Sequence, residues 1–178
     1  MTTDLPGVLV LEPRVFEDSR GYFLESFNAR KFADATGIET GFFQDNLSRS
    51  SKGVLRGLHY QIQQPQDKLV AVVRGAIFDV AVDIRRSSPH FGRWVGVELS
   101  DANHRQIWVP AGFAHGFVVL SDEADVMYKT TDYYAPQHER TIRWDDPQLA
   151  IAWPAGIDPV VSDKDRQGVR LADAELFD

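Results

Sequence analysis

Short runs of β-prone residues recur along the whole chain, each closed off by Gly, Pro, Asp, Asn or Ser. This rhythm limits the fold more than any other feature of the sequence. The runs are Val8–Val15, Tyr22–Phe27, Val54–Ile62, Leu69–Val73, Ala76–Ile84, Trp94–Leu99, Arg105–Val109, Ala114–Leu120, Ala124–Thr131 and Thr141–Trp144. Runs of this length and spacing predict an all-β sandwich or barrel. Only Asn28–Thr36 has a clear helical pattern, with Asn28 placed to cap its start and Gly37 to end it. Ser100–His104 has room for one helical turn between strands. The tail after Trp153 is rich in turn residues, with a last helical turn at most. The helices are therefore expected to be few, short and peripheral. No repeat or shift in composition divides the 178 residues, so 1–178 is expected to form one domain.

Composition removes several classes of function. There is no cysteine, which excludes thiol nucleophiles, disulfides and thiolate zinc sites. The balance of 19 Lys and Arg against 26 Asp and Glu gives a net charge of −7. Nucleic acid is not expected as a partner, because phosphate neutralisation needs clustered cations. A small anionic ligand held by a few local Arg and Lys remains compatible with this charge. The first residues hold only a short apolar run with acids and prolines close behind, unlike a secretory signal. No run approaches the length of a membrane span, so no membrane partner is expected and a cytoplasmic location is the default.

Ala76–Ile84 carries more information than its neighbours. Ala76, Phe78, Val80, Val82 and Ile84 share one face of a period-2 pattern, and Ile77, Asp79, Ala81 and Asp83 share the other. The face bearing two acids is either a solvated exterior or a polar lumen. Alternation alone leaves both open.

Chemistry-bearing residues gather in a few segments. QDNLSRSSKGVLRGLHYQ (Gln44–Gln61) packs amides, hydroxyls, Arg56 and His59 around the start of a strand. Lys68 follows after the loop IQQPQD, and a hairpin returns it towards His59. Strict alternation would send Arg56 and His59 to opposite faces, unless Gly57 hosts a bulge that re-aims one of them. WVPAGFAHGFVVL places His115 between Phe113 and Phe117. DVMYKTTDYYAPQHERTIRW places Tyr128 on an apolar strand, with Tyr133, Tyr134 and Glu139 beyond it. SDKDRQG, from Ser162, would by itself be a charged surface turn.

These segments, in this order and spacing, resemble the dTDP-4-dehydrorhamnose 3,5-epimerase family of the cupin superfamily. The likeness runs from FEDSRGYFLESF (Phe16–Phe27) through RGLHYQ, VRGAIFDVAVDIRRSSPHFGRW, VPAGFAHGF, YKTTDYYAP and ERTIRWDDP to SDKD. It implies a cupin jelly roll and a homodimer with exchanged N-terminal strands. It implies a nucleotide-sugar substrate, a dTDP-4-keto-6-deoxy sugar, and no cofactor. His59 then matches the catalytic base, Asp165 the carboxylate behind it and Tyr128 the proton donor. Lys68 and His115 match contacts near the sugar. Arg20, Glu25, Gln44, Asn46 and Arg56 match nucleotide-side contacts. Tyr134 matches the aromatic that stacks on the thymine, and Glu139 and Lys164 match two further binding positions.

The chemistry of such a substrate suits these residue types. A C4 ketone acidifies the C–H bonds at C3 and C5, and inversion needs a base on one face and an acid on the other. An imidazole is available unprotonated near neutral pH, and a phenol keeps its proton there. Metal-binding cupins carry a His-x-His pair, a Glu and a later His. Here Gln61 stands two places after His59 and only His115 fills the later position, so no catalytic metal is expected. The nearest alternative is a mono-epimerase acting at C3 or C5 alone, as in antibiotic-sugar pathways. A metal-dependent cupin enzyme and a non-catalytic sugar-nucleotide module are more distant.

Overall fold

The computed structural model describes residues 1–178. Its strands are β1 (Leu9–Leu11), β2 (Val15–Asp18), β3 (Gly21–Leu24), β4 (Gln44–Ser51), β5 (Leu55–Gln61), β6 (Lys68–Arg74), β7 (Ala76–Asp83), β8 (Trp94–Ser100), β9 (Gln106–Val109), β10 (Phe113–Val119), β11 (Glu123–Thr130) and β12 (Glu139–Thr141). Helix α1 (Ala29–Thr36) and the single turn α2 (Asp163–Arg166) are the α-helical elements. Ten of the strands form two five-stranded antiparallel sheets. The first has the order β1-β9-β6-β11-β4 and the second β12-β5-β10-β7-β8. Strands β2 and β3 form a separate ribbon. No helix is long and apolar enough to cross a membrane.

The two sheets face each other across a shared core. Val70, Val72, Ile107 and Val126 of the first sheet pack with Ile77, Ala81, Phe117 and Val119 of the second. Removing such side chains from water stabilises the fold by about 1.5–3 kcal/mol each. The opposite face of β7 is covered as well. Val80, Val82 and Ile84 pack beneath Leu149, Leu171 and Ala174 of the C-terminal tail, with Trp153 and Phe177 at the margin. Both faces of β7 are therefore interior, and Asp79 and Asp83 are fully buried. The solvated-exterior reading of that face is corrected. Helix α1 seats Phe32 on Leu69 and Trp108, against the first sheet. The Asn28 side chain accepts from the Lys31 amide, and Gly37 ends the helix at φ 72°.

Several elements differ from the sequence reading, among them Tyr22–Phe27, of which only the part to Leu24 is strand, as β3. The run Val8–Val15 is split between β1 and β2, since Pro13 offers no amide to a ladder. Strand β12 covers Glu139–Thr141 rather than Thr141–Trp144. Ser100–His104 closes with a bond from the His104 amide to the Ser100 carbonyl but stays a turn. Strand β4 was not among the expected strands. Its eight residues are polar apart from Leu47, so no apolar alternation marks it.

Candidate active site

A cavity of about 340 Å³ lies between the two sheets. This is within the usual size range of small-ligand sites. Gln44, Asn46 and Ser48 reach it from β4, Lys68 from β6 and Tyr128 from β11, all of the first sheet. Arg56, His59 and Gln61 reach it from β5, His115 and Phe117 from β10 and Glu139 from β12, all of the second. Tyr134 and Gln66 come from connecting loops.

Arg56 and His59 share this cavity because β5 is bulged. His59 pairs with His115 and Arg56 with Phe117, so Gly57 and Leu58 together oppose Gly116 alone. The extra residue turns two positions that alternation would separate onto one face. Gly57 has φ 134°, and a Cβ there would stand 2.6 Å from the Gly116 Cα, so only glycine fits. The Gly57–Leu58 peptide bond is cis. The Arg56 Nε donates to the Ser50 hydroxyl at 3.0 Å.

Asp165 sits behind His59. Its Oδ1 is 2.5 Å from the His59 Nε2, and the Ser162 hydroxyl donates to its Oδ2 at 2.9 Å. Ser162 also caps α2, accepting from the Asp165 amide. Burial presses the Asp165 carboxyl upward, but hydrogen bonds from His59 and Ser162 outweigh it and hold it below the usual range. An ionised Asp165 can only accept, so the His59 Nε2–H donates to it, and in that tautomer the ring lone pair lies on Nδ1. His115 is held in the same way. Its Nε2 lies 2.8 and 3.0 Å from the two carboxylate oxygens of the fully buried Asp79.

Lys68 lies where burial pushes its ammonium down to about 8, with Asp79 and Glu139 opposing the fall. Burial holds the Tyr128 phenol above its ordinary range, against the pull of Arg56. Tyr134 donates its hydroxyl to the Glu139 Oε2 at 2.6 Å, which pushes the phenol to about 12. The Lys164 Nζ meets the Glu139 Oε1 at 2.6 Å. Burial raises the Glu139 carboxyl, and the bonds from Lys164 and Tyr134 more than reverse this. Neighbouring residues of α2 thus engage Glu139 and His59. No group of three or more His, Asp or Glu side chains comes together where it could hold a metal ion.

Two of the expected contacts are elsewhere. Arg20 is 88% exposed on the β2–β3 ribbon and pairs with Asp18. Glu25 pairs with Lys31 at 2.9 Å and accepts from the Asn28 amide group. Neither lines the cavity of this chain, because the ribbon that leads to them joins neither sheet. The sequence reading also missed partners of the site. Asp79 was seen only as one of two acids on a strand, and Ser50 and Ser162 were passed over as ordinary hydroxyls. The signal for Asp79 was its placement on the same face of β7 as Ile77 and Ala81, which are core residues.

A family profile described as dTDP-4-dehydrorhamnose 3,5-epimerase matches residues 2–173. The chain belongs to the dTDP-4-dehydrorhamnose 3,5-epimerase family. It is thus an isomerase with a cupin jelly-roll fold. It is 60% identical to the dTDP-4-dehydrorhamnose 3,5-epimerase of Pseudomonas aeruginosa, over 97% of this chain and 96% of that protein. A Legionella pneumophila dTDP-6-deoxy-D-glucose-3,5-epimerase, solved in complex with dTDP-4-keto-L-rhamnose, superimposes with a TM-score of 0.96. The two are 54% identical, over 98% of this chain and 93% of that one. The 3'-monoepimerase ChmJ of Streptomyces bikiniensis, solved with dTDP-quinovose, gives a TM-score of 0.91 at 37% identity, over 96% of this chain and 86% of that one.

Proposed function

We propose that this chain inverts C3 and C5 of dTDP-4-dehydro-6-deoxy-D-glucose to give dTDP-4-dehydro-L-rhamnose, with His59 as base and Tyr128 as acid. One observation carries the reading: the His59–Asp165 pair and the Tyr128 phenol enter one cavity from opposing sheets. A sugar between them offers one face to each. His59 Nδ1 removes the proton beside the ketone, and Asp165 stabilises the imidazolium that forms. The electron pair moves onto the C4 oxygen as an enolate. Lys68 is the cation aimed at that oxygen, with His115 beside it. Tyr128 then gives its proton to the carbon from the other side. His59 then releases its proton to solvent and Tyr128 takes one back, and with both groups reset the same cycle at the second carbon completes the product; no step needs a cofactor. Arg56 binds the pyrophosphate, Gln44 and Asn46 hold the nucleoside, and Tyr134 stacks on the base, with Glu139 and Lys164 holding that ring.

Arg20 and Glu25 enter this scheme through a homodimer. The β2–β3 ribbon exposes Phe16, Tyr22 and Phe23, large apolar side chains that a lone chain leaves in water. Exchange of the N-terminal strands between two chains would bury them and carry Arg20 and Glu25 to the partner's cavity.

The reaction is tested by turnover in heavy water with NMR of the sugar. Deuterium is expected at both C3 and C5. Label at one carbon alone would instead make the chain a mono-epimerase. Tyr128→Phe is expected to lower kcat by about 10²-fold, within the range for a lost general acid. Its melting temperature should stay within a degree or two of the parent, since none of the groups that shift this phenol is hydrogen-bonded to it. A Tyr128→Phe enzyme with the parental rate and product would remove the acid assignment.

A further inference from the structure

The loop IQQPQD between His59 and Lys68 has no part in the scheme above, yet two of its neighbouring amides grip the chain segment that carries Tyr134. Gln61 is 5% exposed. Its Nε2 donates to the Gln64 carbonyl at 2.7 Å and to the Tyr133 carbonyl at 3.2 Å, and its Oε1 accepts from the Ala135 amide at 2.8 Å. Gln66 donates to the Asp132 carbonyl at 2.8 Å. Gln44 accepts from the Tyr134 amide at 2.9 Å. Four successive residues, Asp132 to Ala135, therefore each have one backbone group held by a glutamine side chain.

The residue type matters at position 61. Two carbonyls need two N–H donors and one amide needs an acceptor, all from one buried head. A primary amide supplies that set, whereas a neutral imidazole has one donor and a carboxylate has none. The side chains of Tyr133 and Tyr134 are themselves largely exposed, at 60% and 52%. The Tyr134 ring is tethered at its hydroxyl by Glu139, and the backbone of the segment is held by the glutamine clamp.

We propose that Gln61 and Gln66 are positioning residues for the nucleotide: they hold Asp132–Ala135 so that the Tyr134 ring is in place before the base arrives. The inference rests on the reading of Tyr134 as the stacking aromatic. A preformed platform spares the ordering of that loop on binding, so the clamp should act on affinity and not on the chemical step. The test is calorimetric titration of dTDP, with steady-state kinetics, on the full-length parent, Gln61→Glu, Gln66→Ala and Tyr134→Ala. Gln61→Glu should weaken dTDP about tenfold and Gln66→Ala about threefold, with KM rising in step and kcat within about threefold of the parent. Gln66 is partly exposed and gives up one bond, so Gln66→Ala decides the matter should Gln61→Glu not fold. Parental dTDP affinity in the folded glutamine variants, with Tyr134→Ala weakened, would overturn the clamp and leave the stacking reading standing. Parental affinity in Tyr134→Ala would overturn both. A fall in kcat at unchanged KM would also overturn the clamp, since the loop would then serve the chemical step.

Discussion

His59→Ala is expected to lower kcat by roughly 10³-fold, in the middle of the range for removal of a general base. The His59 imidazole enters the cavity from the sheet opposite Tyr128, with the Asp165 carboxylate behind it to stabilise the charge it gains. Exchange of the substrate's C3 and C5 hydrogens with heavy water should fall by the same factor, because proton removal precedes everything else. Loss of the ring also leaves Asp165 with Ser162 alone, at 3% residue exposure. An ionised carboxylate there is poorly compensated, so some loss of stability accompanies the variant. His59→Gln separates the two effects. Its amide nitrogen reaches about as far as the imidazole Nε2 and can still donate to Asp165, but it offers no basic nitrogen, so stability should return while the rate does not. A rate within threefold of the parent in either variant would show that the proton leaves by another route.

The sequence exposed those parts of the fold whose two faces differ in the ordinary way. β7 and β10 were legible because apolar residues repeat along them, and α1 because Asn28 and Gly37 bracket it. β4 was not. Its inner face is turned to a ligand cavity and carries Gln44, Asn46 and Ser48, while its outer face carries Asp45 and Arg49. A strand that lines a polar site is polar on both sides, and period-2 hydrophobicity cannot mark it. The same physics hid Asp79, whose burial depends on His115 one strand away in the sheet. The bulge at Gly57 was legible as a need, since Arg56 and His59 could not otherwise share a face. Its register is set by the neighbouring Gly116, which sequence cannot supply. Arg20 and Glu25 were legible as motif positions, but one chain does not bring them to the cavity. In the proposed homodimer a second chain supplies their place.

Lys68→Met is expected to cost about 10²–10³ in kcat, by analogy with the loss of one preorganised oxyanion donor. The argument is one of differential charge. The ketone oxygen is neutral and the enolate oxygen is not, so a fixed cation stabilises the second far more than the first. The cavity makes this cation expensive to keep charged: burial brings its ammonium down to about 8. The sign follows directly. Below about pH 8 Lys68 is protonated and supports the enolate, and above it the charge is lost. The kcat/KM profile, which reports the free enzyme, should therefore fall on the alkaline side with a midpoint near 8. Lys68→Met should lack that limb, and Lys68→Arg should push it beyond the measurable range, since a guanidinium stays charged. Binding of the dianionic pyrophosphate favours the ammonium, so the limb in kcat itself should lie higher than in kcat/KM. An alkaline limb that survives unchanged in Lys68→Met would assign it to another group and leave the enolate without its cation.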